Sequence, residues 1–449
     1  MPMPQRMTGS VPQPSPGRDA AHERHAHLHP VPPAPELSRW RQPRDADGQY
    51  VALERRALPA LNSLRFFASF YIVLHHIVNV ALLAAYGNDA DRAGTWYLAW
   101  ATEGHVGVTF FYVLGGFVLA WFYHAKFAQA PDESLPGIRS QFWFARFARV
   151  WPLHAVTFLA VLPTTVLGFT GGRDAIAAAW QAPLNLLLLH SWVPTGAREG
   201  LASTFNAPSW SLSCQAFFYA MFPLMAILLL RRLRWGMAQL ALLGVGLWIG
   251  LGVLGVALGT SDLARWAMTI FPPVRFIDFS IGVVLGLLVV QGKQRTALRG
   301  TAPTAATSSG AWTLLEATLF ALTCLAPLAW SQLLEGRVLD TLSASWFYQP
   351  VIAALIVTFA LERGALSRRW MRTRTLLWLG ELSFALFLTH LAVFVAGYHA
   401  GLFDRLGILT ASTVLVAVSF VVAWQVHVRF EQPARARLVA WNRARTAPR

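Results

Sequence analysis

Arg65 and His76 stand eleven residues apart in one apolar stretch that begins Leu61-Asn62-Ser63-Leu64-Arg65-Phe66-Phe67 and reaches His75-His76. On a helix, at about 100° per residue, they return to within roughly 20° of one face and about 16 Å apart along the axis. An imidazole held mid-membrane is costly unless it faces a cavity or a partner, and its proton affinity suits proton transfer near neutral pH. The plainer alternative is that Arg65 snorkels to headgroups while His76 bonds a neighbouring helix. Arg146 and Arg149, three apart before Val150-Trp151-Pro152, share one side of a helical turn. Paired guanidinium groups make forked hydrogen bonds to phosphates, although the same arginines could simply anchor topology. Ser211 and Gln215, four apart, form a polar strip. Ser383 and His390, seven apart, share another face, with His390 at a depth comparable to that of His76.

The elements that must position these residues are membrane-spanning helices. Hydrophobic residues make up 55% of the 449 positions and charged residues only 13%, with apolar runs near the 20 or so residues needed to cross a bilayer. Ten spans are expected, at 59–82, 104–123, 149–170, 208–230, 236–258, 268–290, 312–331, 347–362, 376–398 and 408–429. The formal charge of +15 is carried mostly between apolar runs. That placement sets orientation through the positive-inside bias and argues against a nucleic-acid reader, whose basic face lies on a soluble domain.

With both termini cytoplasmic, the inner segments carry Arg55 and Arg56, Arg139 to Arg149, Arg231 to Arg234, Lys293 to Arg299, and Arg368 to Arg374. The outer segments carry Asp89, Asp91, Glu103, Asp262, Glu335, Asp340 and Asp404. Counting the interrupted run 175–193 as a span would place Arg231–Arg234 outside, so it is expected to be re-entrant or interfacial. Residues 1–57 read as a disordered tail rich in Pro, Arg and His, without a signal peptide. Residues 58–437 form the membrane domain, and 438–449 a basic tail. The histidines at 22, 25, 27 and 29 could bind metal, but the favoured reading places them in a solvated flexible tail; Cys214 and Cys324 lack the ligand number and spacing of a zinc site.

Six segments in order resemble the acyltransferase 3 family of bacterial inner-membrane proteins. They are Arg65 with His76; Phe110-Phe111-Tyr112-Val113-Leu114-Gly115-Gly116-Phe117; Arg146 with Arg149; Ser209-Trp210-Ser211-Leu212 through Tyr219; Gly380 to His390; and Glu431 to Pro433. The resemblance covers residues 58 to 437. It implies an all-α, polytopic helical bundle of about ten spans around a polar cavity, in the cytoplasmic membrane. It also implies transfer of an acyl group, acetyl above all, from acyl-CoA to a hydroxyl of a carbohydrate-containing acceptor such as an exopolysaccharide or its lipid-linked precursor. No cofactor is permanently bound; the donor is a substrate.

Under that resemblance His76 is the general base and Arg65 stabilises the thioester or the charge developing on it. Arg146 and Arg149 hold the nucleotide end of the donor, and His390 and Ser383 orient the acceptor or complete a proton path. Ser211 and Gln215 line the cavity, and Arg275 and Asp278, at the outer start of span 268–290, could meet the sugar. Two positions depart from the family pattern: Gly115 replaces the usual Ser and Gln215 the usual Glu. A macrolide-type acceptor is the alternative of the same class, and a transporter or flippase for a lipid-linked sugar that of another.

Overall fold

The computed structural model describes residues 39, 41–45, 47–53, 57–87, 101, 103–166, 175–194, 201–202, 204–299, 309–333 and 346–446. Apart from two isolated β-bridges, extended structure among these residues is helical, as it must be where lipid leaves no partner for backbone polar groups. Of the residues invoked above for topology, Arg55, Arg56, Asp89, Asp91, Glu335 and Asp340 lie outside the described set, as do the histidines at 22, 25, 27 and 29.

Eight helices among the described residues are long and apolar enough to cross a membrane, or nine if Gln349–Leu361 and its continuation Ala365–Arg372, bent by 58°, count as one span. The bend accounts for the short run expected at 347–362. The remaining expected span, 149–170, overlaps the helix Leu135–Val166 as far as Val166, and its last four residues lie outside the described set. That helix is long enough to cross, but Arg149, Pro152, His154 and Pro163 dilute its apolarity. The run 175–193 yields the helix Ala175–Leu186, whose 12 residues rise about 18 Å, well short of the roughly 30 Å hydrocarbon core.

Two helix pairs build the frame. α1 (Pro59–Tyr86) packs along α12 (Arg374–His399), and α2 (His105–Gln129) along α8 (Pro272–Leu298). Between these in chain order come α3 (Leu135–Val166), α4 (Ala175–Leu186), α5 (Trp210–Ile227), α6 (Met237–Leu258) and α7 (Asp262–Thr269). After α8 come α9 (Ser309–Leu333), α10 (Gln349–Leu361) and α11 (Ala365–Arg368); α13 (Leu402–Leu406), α14 (Ile408–Val426) and α15 (Gln432–Thr446) close the chain.

α2 and α8 touch backbone to backbone. A Cβ at Gly116 would lie 2.0 Å from the Phe279 carbonyl oxygen, and one at Gly282 2.0 Å from that of Val113. Neighbouring Gly115 is different: a Cβ there would meet only the Phe279 ring, at 4.0 Å. One glycine of the pair therefore serves packing, while the other leaves open space in a cavity wall.

Near both termini, described residues carry structure where the sequence suggested tails. Residues 41–45 and 47–53 fold against one end of the bundle, where Tyr50, its phenol pushed above its usual range by burial, shares a hydrogen bond with His124 Nδ1 at 2.7 Å. The amides of Gln129 and Gln294 donate to the carbonyls of Tyr50 and Val51, and Arg295 donates to that of Arg41. This segment has no apolar run to form its own core, and its order comes from side chains that project from helix ends. At the other terminus, residues 438–446 continue the helix α15 instead of forming a tail.

Candidate active site

α1, α2, α3, α5 and α12 enclose a chamber of about 320 Å³. Its wall is largely apolar, with Val108, Phe111, Tyr112, Leu114, Val118 and Phe122 from α2 and Phe384 and Phe387 from α12. The polar lining is Arg65, Arg146, Arg149, Ser211, Gln215, Tyr219 and Ser383. Six of the candidate site residues singled out by sequence, all but Tyr219 of this polar lining, therefore converge on one space. The three charged residues of this lining are all arginines, and among the described residues none of them has a carboxylate within ion-pair distance. Arg146 places its guanidinium over the Phe142 and Tyr219 rings, 5.9 and 6.0 Å from their centroids, and its buried Nε has no hydrogen-bond partner.

Arg65 and Arg149 also line a second, wider cavity of about 630 Å³. This vestibule carries Asn62, Glu381, His427, Glu431, Arg435 and Arg443, and His427 Nδ1 pairs with Glu431 at 2.8 Å. The two arginines thus stand where chamber and vestibule join.

Serine hydroxyls at the chamber are spent on their own backbone: Ser211 donates to Pro208 O at 3.0 Å and Ser383 to Gly380 O at 2.7 Å. Their oxygens remain as acceptors facing the cavity. Gln215 Oε1 accepts from Tyr219 at 3.3 Å. Tyr219, not singled out by sequence, thereby supports both Gln215 and Arg146. It is one helical turn beyond Gln215, so spacing on the motif was the available signal.

His76 and His390 lie one step deeper. His76 Nδ1 is 2.7 Å from His390 Nε2, with the rings stacked at 5.0 Å. His390 Nδ1 contacts the Leu386 carbonyl at 2.9 Å. A carbonyl can only accept, so in the neutral pair this nitrogen carries the proton and His390 Nε2 is an acceptor. His76 Nδ1 must then donate, which leaves the lone pair on His76 Nε2. The pair is not part of the chamber wall: Phe387 lines the chamber, and its ring lies 6.3 Å from that of His390 and 6.0 Å from that of Phe111.

Arg65 and His76 share a stripe of α1, about 16 Å apart along its axis as their spacing requires. One expectation changes in this geometry. Arg275 and Asp278 do not reach the chamber. They form a fully buried pair, Nη2 to Oδ2 at 3.1 Å, in which Arg275 also donates to Thr109 Oγ1 at 3.0 Å and Gln349 donates to Asp278. Three helices, α2, α8 and α10, are tied by this cluster. A sequence reading sees two charges near a helix start and cannot see that they satisfy each other.

The model of the acyltransferase 3 family, described as an acyltransferase domain, matches residues 58–426. Acyltransferase MdmB from Streptomyces mycarofaciens is 30% identical over 422 residues, which cover 87% of this chain and 95% of that protein. No solved structure matches the chain.

Proposed function

Because the chain belongs to the acyltransferase 3 family and is a multi-pass membrane O-acyltransferase, we propose that it moves an acetyl group from acetyl-CoA to a hydroxyl of a carbohydrate-containing acceptor. The observation that carries this reading is the apolar chamber whose charged lining is three arginines without carboxylate partners, opening into the vestibule. Such a site suits a donor with an anionic head and a neutral, slender arm. The basic end of the bundle faces the cytoplasm, where acyl-CoA is available, and the membrane is the bacterial cytoplasmic membrane.

In the proposed reaction Arg65 and Arg149 hold the diphosphate at the junction, and Arg146 steadies the arm within the chamber. The 16 Å or so between Arg65 and His76 is of the order that an extended phosphopantetheine arm spans. The acceptor reaches His76 from the opposite end of the bundle, and the Phe111–Phe387 wall must turn aside for the thioester to meet it. His76 Nε2 removes the hydroxyl proton, and the oxygen attacks the thioester carbon, since an unassisted alcohol is a poor nucleophile. The carbon–sulfur bond then breaks, and the departing thiolate takes the proton from His76. His390 fixes the tautomer and orientation of His76 through the bond to Nδ1.

Membranes containing the protein, incubated with acetyl-labelled acetyl-CoA, should transfer label to surface glycan. Mass spectrometry of glycans and secreted metabolites from wild-type and deletion strains should show the missing acetyl increment on the acceptor. Movement of a glycolipid across the membrane without any label transfer would replace this reading with transport.

Substitutions at two places probe the chamber. Replacing Arg146 and Arg149 with Gln should raise KM for acetyl-CoA by about tenfold or more and leave KM for the acceptor within about twofold, while Lys recovers only part because an ammonium lacks the forked contact. Full recovery with Lys would mean the arginines only set topology. Gln215→Glu should change the rate by less than about tenfold, roughly 1.4 kcal/mol of barrier, because an amide already supplies the acceptor oxygen for Tyr219. Gln215→Leu should cost more by leaving that hydroxyl unsatisfied. Strong activity only in Gln215→Glu would show that the missing carboxylate is needed for transfer.

A further inference from the structure

The cavities do not end at the vestibule. A cleft of about 270 Å³ between α2, α3 and α15 continues from it, and Val439 and Arg443 line both. We propose that α15, which lies beyond the matched family domain, forms the subsite for the adenosine 3′-phosphate end of the donor. The proposal rests on the acyl-CoA reading above and names residues that reading does not use.

The helix is built for such a role. Gln432, Arg435, Ala436, Val439, Ala440 and Arg443 all face the vestibule, at the i, i+3, i+4 spacing of one helical stripe. The small Ala436 and Ala440 leave room between the two arginines, which stand about 12 Å apart along the axis. Opposing charge is limited. Glu431 is engaged by His427 at 2.8 Å, which leaves Glu381 as the other acid in the lining, and Lys126 adds a cation in the cleft. The cleft also offers Tyr123 and Phe144, aromatic faces against which a purine can lie. Trp441 packs beside Phe144 in a tilted pair, ring centroids 5.8 Å apart, and fastens α15 to α3.

The stripe faces the vestibule because α14 does not run straight into α15: residues His427–Glu431 form a π-helical turn, which shifts the register of everything after it. The donor would then lie as one line: thioester in the chamber, diphosphate at Arg65 and Arg149, 3′-phosphate at Arg435 and Arg443, and base in the cleft.

The test uses the full-length protein in lipid nanodiscs. Binding of adenosine 3′,5′-bisphosphate and of adenosine 5′-phosphate is measured for wild type and for the double variant Arg435→Gln/Arg443→Gln, which needs no turnover. Wild type should favour the bisphosphate by about tenfold or more, and the double variant by less than about threefold, because two forked phosphate contacts are lost. In turnover, KM for acetyl-CoA should rise about tenfold in the variant and KM for acetyl-dephospho-CoA by less than about twofold. Equal binding of both nucleotides by wild type, or an unchanged preference in the variant, overturns the subsite. A proportional loss of both nucleotides in the variant also overturns it, since that marks a structural role. If wild type uses acetyl-CoA and acetyl-pantetheine equally well, the enzyme reading stands and this subsite falls. If wild type takes no acyl group from any CoA donor, the donor reading itself falls.

Discussion

His76→Ala should lower acetyl transfer by roughly 10²- to 10⁴-fold, the usual contribution of a positioned general base, while the protein still inserts and folds. The expectation follows from the hydrogen-bond relay. The Leu386 carbonyl fixes the His390 tautomer, and His390 Nε2 in turn accepts from His76 Nδ1, so that the unshared pair of His76 Nε2 is left for the acceptor hydroxyl. Removing His76 deletes the base, whereas His390→Gln should be milder because an amide oxygen can still accept from His76. His75 is the control. Its Nδ1 lies 3.1 Å from the Ala101 carbonyl and 3.2 Å from the Gly104 amide, and its tautomer selects which of the two it bonds; either bond fastens the segment that leads into α2 to α1. His75→Ala should therefore lower thermal stability more than it alters the rate of the folded fraction. Initial rates at saturating donor, normalised to folded protein, separate the two histidines. Equal rates for wild type and His76→Ala would remove this mechanism.

Asp278→Ala should be among the most destabilising single changes in the chain, on the order of 3–5 kcal/mol, because it leaves the guanidinium of Arg275 buried without its counter-charge. Arg275 is 1% exposed and Asp278 0%, so water cannot take the lost partner's place. The damage should spread to Gln349 and Thr109, which bind the pair from α10 and α2. Replacing both at once, as Arg275→Met with Asp278→Leu, should be far milder than either single loss, since no uncompensated charge remains. Thermal unfolding in detergent compares the three proteins. A stable Asp278→Ala protein with a raised KM for the acceptor would instead return this pair to the acceptor site.

Much of this architecture is written in local pattern. Apolar runs of span length need no tertiary information to be read as helices, because lipid forces each segment to satisfy its own backbone. The stripes of Arg65 with His76, Ser211 with Gln215, and Ser383 with His390 follow from 3.6 residues per turn. Family membership was legible from six short segments in order. What stayed hidden depends on relations between segments distant in the chain. His390 meets His76 across 314 positions, and only the packing of α12 on α1 makes their nitrogens bond and so decides which one is left basic. Arg275 and Asp278 looked available because sequence records charge without burial, and it took α2 and α10 to seal them. The same holds for the termini. Arg41, Tyr50 and Val51 are held by partners on α2 and α8, and a π-helical turn aims α15 at the vestibule. Helical period determines which residues share a face; which cavity that face meets was decided by close contacts such as Gly116 against Phe279, where backbones approach because no side chain intervenes.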